Sequence, residues 1–117
     1  MPLIVLDTSC ELADAGKKEA LAKTLSRLTS EGTGKPEQYV MACVRDKAVM
    51  TMGGEAGPCA VVTIKGIGGL DKTVNQALAE TITQTLEKEL AVPPDRVYLV
   101  FEEITATHWA WKGTTFG

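Results

Sequence analysis

The chain has a single histidine and only three cysteines. Cys10, Cys43 and Cys59 are odd in number and widely spaced, so they offer no disulfide framework. His108, without paired cysteines, makes no zinc site, and no metal or other cofactor is expected. No apolar run reaches the roughly 18–20 residues that a bilayer crossing needs. The start has no basic segment leading to a cleavage site. A reduced, cytoplasmic protein without a membrane partner is therefore expected. Two Trp, two Tyr and two Phe are few stacking surfaces for a single-strand binder. Twelve Lys+Arg against fifteen Asp+Glu form no basic stripe, so nucleic acid is not an expected partner. Also missing are a G-x-S-x-G elbow, a phosphate loop and a dinucleotide fingerprint. Cys59 is followed by Ala60-Val61-Val62, so there is no C-x-x-C redox pair.

What remains is an ordinary globular composition, 44% hydrophobic and 23% charged, over 117 residues. That length suits one domain, residues 1–117. Four segments have strand character: Pro2–Thr8, Gln38–Arg45, Cys59–Ile67 and Val97–Phe101. A helical pattern with Ala20, Leu21, Leu25 and Leu28 on one face separates the first two. Another, with Val74, Leu78, Ile82, Leu86 and Leu90 at four-residue steps, separates the last two. Breakers close each helix, Gly32-Thr33-Gly34-Lys35-Pro36 and Val92-Pro93-Pro94. Sliding the chain by 58 residues sets Pro36-Glu37-Gln38 on Pro94-Asp95-Arg96 and Leu3–Leu6 on Val61–Ile64. The chain thus reads as one β-α-β unit written twice. The expected fold is α+β, a four-stranded mixed sheet with two helices on one face.

Leu3-Ile4-Val5-Leu6 and Ala60-Val61-Val62 show no polar-out alternation. Such strands are buried on both faces, so the face away from the helices needs a cover from outside the chain. Oligomerisation is the economical answer. Trp109-Ala110-Trp111, beyond the last main strand, is expected to dock on a neighbour, the alternative being that it folds back on its own core.

Pro2 directly follows the initiator methionine and opens the first strand. Removal of Met1 would turn its nitrogen from an amide into a secondary amine. An α-amino group has a pKa of roughly 7.7–8.0, and apolar surroundings lower it. That gives a general base poised near neutrality without a histidine. The plain alternative is that Pro suits a strand's first residue. Lys35, on the Gly34-Lys35-Pro36 turn, can pair with a carboxylate and lower the pKa of a neighbouring amine, or be merely solvated. Ile67-Gly68-Gly69 leaves backbone groups open to an anion or carbonyl oxygen, or is simply a turn. Tyr98 can donate a hydrogen bond or sit in the core. Glu102 and Glu103 are adjacent on a strand and point to opposite faces, so they are no carboxylate pair.

Met1-Pro2 before a strand, Thr33-Gly34-Lys35-Pro36-Glu37-Gln38-Tyr39, Pro58-Cys59-Ala60, Ile67-Gly68-Gly69, Pro94-Asp95-Arg96-Val97-Tyr98 and Trp111-Lys112-Gly113-Thr114-Thr115-Phe116 form an ordered set. This set resembles the macrophage migration inhibitory factor family and its tautomerase relatives, over essentially the whole chain. The resemblance implies a homotrimer with sites at subunit interfaces, and keto–enol tautomerisation of α-keto acids such as phenylpyruvate. By the same resemblance Pro2 is the catalytic base, Lys35 holds the substrate carboxylate, the Ile67 backbone anchors substrate, and Tyr98 of an adjacent subunit lines the pocket with Trp111. A cytokine-like signalling or receptor-binding role with a vestigial pocket is the alternative it implies. Three departures bear on substrate range and chemistry. Val100 stands where the family carries an asparagine, Trp109 where a small residue is common, and Val62 where a second cysteine is found. Relatives that dehalogenate or decarboxylate pair the proline with arginines, and Arg27, Arg45 and Arg96 do not fall at the matching strand ends.

Overall fold

The structure, a computed structural model, describes residues Met1–Gly117. Strand β1 (Pro2–Thr8) leads to helix α1 (Ala15–Thr33) and strand β2 (Met41–Arg45). Strand β3 (Ala60–Gly66), helix α2 (Lys72–Leu90) and strand β4 (Val97–Glu103) repeat the pattern. The sheet order is β2-β1-β3-β4. β1 runs parallel to β2 and β3 parallel to β4, while β1 and β3 meet antiparallel at the centre, with Pro2 opposite Gly66 and Thr8 opposite Ala60. Each helix is the crossover that a parallel pair requires. The two β-α-β units therefore sit side by side, as the repeat in the sequence predicts.

Alternation decides which face the helices cover. Ile4, Leu6 and Thr8 of β1 and Ala60, Val62 and Ile64 of β3 are buried beneath Leu21 and Leu25 of α1 and Leu78, Ile82 and Leu86 of α2. Fully burying a side chain of this size contributes about 1.5–3 kcal/mol, so this single layer holds the fold. Of the four-residue stripe on α2, Leu78, Ile82 and Leu86 are buried and Val74 and Leu90 are half-buried against them. On α1 the stripe is Leu21, Leu25 and Thr29, with Leu28 beside it, and Ala20 is exposed. Thr29 takes a core position because its hydroxyl donates to the Leu25 carbonyl at 2.8 Å. Asp14 and Asp71 cap the helices, accepting from Lys17 N at 2.8 Å and Val74 N at 2.9 Å. Gly34, at φ +72°, ends α1.

The opposite sheet face has no helix on it. Leu3, Val5, Met41, Val100 and Tyr98 lie there, with Met41 69% and Tyr98 62% exposed. Asp7, Arg45, Thr63, Lys65 and Glu102 share that face, so it is less apolar than the Leu3–Leu6 run suggests. Arg45 donates to both Asp7 carboxylate oxygens at 2.7 and 2.9 Å.

Strand limits differ from the sequence reading at four ends. Glu37–Tyr39 form a 3-10 turn after Pro36, so β2 starts at Met41 rather than Gln38, and Val40 precedes it. Pro36 sets this entry through its fixed φ of −60°. β3 spans Ala60–Gly66, one residue shorter at each end than expected, and β4 extends to Glu103. The C-terminal residues add a small hairpin, β5 (Ala110–Trp111) against β6 (Thr114–Thr115). Trp109 and Trp111 lie outside the hydrophobic core, and Trp111 is 48% exposed. Trp111 meets the Tyr39 ring edge to face, with centroids 5.8 Å apart.

Candidate active site at the head of the first strand

The start of β1, the 3-10 turn before β2 and the C-terminal hairpin enclose a cavity of about 310 Å³. Pro2, Leu3, Tyr39, Val40, Met41, Trp109, Ala110 and Trp111 line it, with Met1 and Gln38. The lining is mainly apolar because the Pro36 turn swings Tyr39 out of β2 towards the hairpin, where Trp111 packs on it. Trp111 also carries the Lys112 ammonium 4.7 Å from its ring centroid, a cation–π contact. Pro2 is buried, held by its place at the end of the central β1–β3 ladder.

With Met1 in place, the free amine is that of Met1 and the Pro2 nitrogen is an amide. That amine is pushed below its ordinary value of 8.0, first by burial and second by the positive charge of Lys35. Lys35 follows the α1 cap, and its Nζ donates to the Ile67 carbonyl at 3.5 Å, at the edge of hydrogen-bond reach. None of the ion pairs in the chain involves Lys35. An electropositive corner, Lys35 with Ile67, thus lies within electrostatic reach of the chain's first residue, and an aromatic cavity opens beside it.

Of the residues singled out in the sequence, Pro2, Trp109 and Trp111 share the cavity, and Lys35 and Ile67 adjoin each other. Tyr98 and Val100 do not join them in one chain. Tyr98 is opposite Val61, which is opposite Asp7, so it lies five residues along the ladder from Pro2. At about 3.3 Å per residue that is roughly 16 Å, on a strand two places away. Val100 aligns through Thr63 with Val5 and lies outside the cavity as well. Tyr39, present in the sequence only as part of the Thr33–Tyr39 motif, and Met41 also line the cavity. The available signal was an aromatic two residues beyond Lys35-Pro36-Glu37, with two terminal tryptophans lacking a core partner.

Comparison with known proteins agrees with this architecture. The family model described as macrophage migration inhibitory factor matches residues 1–117. The chain belongs to the macrophage migration inhibitory factor family. A homologue from Brugia malayi is 36% identical over 117 residues, covering 100% of both chains. The factor from Rattus norvegicus is 29% identical over 116 residues, covering 99% of each. Among solved structures, the homologue from Prochlorococcus marinus superposes with a TM-score of 0.90 at 37% identity, over 98% of this chain and 99% of that one. Within this family's fold, the present chain places Trp109 on the wall beside Pro2.

Proposed function

We propose that this protein is a cofactor-independent keto–enol tautomerase of α-keto acids such as phenylpyruvate, with the N-terminal proline amine as general base. Removal of Met1 creates that amine at Pro2, one residue deeper than the amine of Met1. The neutral amine takes the proton from the carbon next to the keto group. The resulting ammonium returns a proton to the enolate oxygen, so the base is regenerated and no electrons leave the substrate. Lys35 holds the substrate carboxylate as a point charge, the Ile67 backbone helps to anchor it, and the Trp109–Trp111–Tyr39 wall takes the aromatic ring.

The observation that carries this reading is the amine at the cavity, held below 8.0 by burial and by a lysine without a carboxylate partner. A lowered amine pKa enlarges the neutral, proton-accepting fraction at a given pH, and its conjugate acid is a better proton donor. Tyr98 and Val100 enter the reading as groups of a neighbouring copy in a homotrimer. The exposed apolar residues on the uncovered sheet face support that assembly.

Following the interconversion of phenylpyruvate enol and keto forms by absorbance tests the proposal. kcat/KM should rise with pH through an amine pKa below 8.0. Lys35→Ala should raise KM more than it lowers kcat, because it removes ground-state binding. A rate that is flat across this range, or a stable monomer by light scattering at micromolar concentration, would overturn the proposal or its interface component respectively.

A further inference from the structure

The turn that carries Ile67 is fastened by the end of β4. Ile104 N donates to the Gly66 carbonyl at 2.8 Å, and Leu70 N donates to the Glu103 carboxylate oxygen Oε1 at 3.1 Å. Adjacent residues of one strand end thus grip both ends of the Gly66–Leu70 turn. Between these grips Gly68 and Gly69 have φ of +71° and +82°, a left-handed pair that glycine adopts without strain. Gly69 serves a second purpose, since a Cβ there would lie 3.1 Å from Lys35 Cε. The stem of Lys35 therefore rests on the turn while its Nζ donates to Ile67 O.

We propose that Glu103 is a positioning residue: by holding the Leu70 N–H it fixes the turn that seats the Lys35 ammonium, and so sets how firmly a substrate carboxylate is held. This rests on the reading of Lys35 as the carboxylate anchor. Glu103 touches no substrate in this scheme, and its carboxylate forms none of the chain's ion pairs. Its action passes through one backbone hydrogen bond. Leu70 is itself buried, so a freed N–H there has poor access to water and the turn must rearrange to satisfy it.

Geometry and charge predict opposite results. Loss of the Glu103 negative charge alone would lower the pKa of a nearby amine, whichever residue replaced it. Drift of Lys35 away from the amine would raise it. The experiment compares Glu103→Ala, Glu103→Asp, Glu103→Gln and Lys35→Ala with the parent, reading KM and kcat for phenylpyruvate and the terminal-amine pKa by nitrogen-15 NMR. Glu103→Ala should raise KM several-fold with a smaller change in kcat, and should move the amine pKa up towards that of Lys35→Ala. Glu103→Asp, which keeps the charge but retracts the oxygen by one methylene, should follow Glu103→Ala. Glu103→Gln, whose amide oxygen still accepts from Leu70 N, should stay near the parent. Parent-like KM and amine pKa in Glu103→Ala, with only a lower melting temperature, would overturn the proposal, as would an equal fall of amine pKa in the Ala and Gln variants. If the parent does not turn over phenylpyruvate, the tautomerase reading fails separately, and the amine titration alone decides the role of Glu103.

Discussion

Gly32 lies in the last turn of α1 where that helix crosses α2, and a methyl group placed on it would collide with the core. Its Cβ would lie 2.5 Å from Leu78 Cδ2 and 2.9 Å from Leu78 Cγ, whereas carbon atoms rest at about 3.5–4.0 Å. Leu78 is only 2% exposed, so moving it aside disturbs the core packed around it. Overpacking of this kind costs about 1–3 kcal/mol, and two atoms inside the contact limit put Gly32→Ala in the upper part of that range. Against it stands the helix preference of Ala over Gly, about 1 kcal/mol. The net expectation is a loss of about 1–2 kcal/mol, or roughly 4–8 °C in Tm at about 4 °C per kcal/mol for a chain of this size. Thermal unfolding should be compared at one protein concentration, because any oligomer makes Tm concentration-dependent. Leu78→Ala should itself cost about 2–5 kcal/mol through the cavity it leaves. Added to that variant, Gly32→Ala should become neutral or stabilising, since the methyl enters vacated space. A stabilising Gly32→Ala in the parent, with additive effects in the double variant, would refute the close helix crossing. Because Lys35 is three residues downstream, the parent-background variant should also raise KM for phenylpyruvate.

Ala91 ends α2 at φ +55°, a conformation costing a residue with a Cβ roughly 1–2 kcal/mol; Ala91→Gly should raise stability by about 0.5–1 kcal/mol after the added freedom of the unfolded chain is subtracted, and denaturant unfolding checks it. The Asp46 carboxyl is held below its ordinary 3.8 chiefly by the hydrogen bond from Leu12 N, with Lys18 assisting at 3.1 Å. Its folded pKa is depressed, so its contribution is fully present above about pH 3.8 and lost as pH falls through the folded value. Asp46→Asn should flatten that part of the acid unfolding curve, and an unchanged curve would remove Asp46 from the account. Trp109→Ala should enlarge the 310 Å³ cavity and favour ring-substituted phenylpyruvates relative to the parent substrate; unchanged relative rates across a size series would take Trp109 off the wall.

Much of this fold was legible because its signals are periodic. The four-residue spacing from Val74 to Leu90, the continuous apolar runs of β1 and β3, and breakers repeated in both halves each specify an element independently. Ala20 lies off the buried stripe because that face of α1 turns from Leu to Thr, and Thr29 hides in the core by bonding its own helix. The late start of β2 depends on a proline-initiated turn that apolar content cannot reveal. The candidate site was legible in part. Pro2 and the terminal tryptophans converge on one cavity, but Tyr39 joins them only through the contact it makes with Trp111. Tyr98 and Val100 lie on the far edge of the sheet, where no arrangement of one chain brings them to Pro2.

The central claim is that a free secondary amine at Pro2 is the base, and it is tested most directly by separating the Met1-free and Met1-bearing forms of the same preparation. Intact mass would identify each form, and both would be assayed on phenylpyruvate under identical conditions, beside a variant with alanine inserted before Pro2. The account predicts nearly all activity in the Met1-free form, with the other two folded and close to inactive, because an amide nitrogen has no basic lone pair. Full activity in the Met1-bearing form would contradict it.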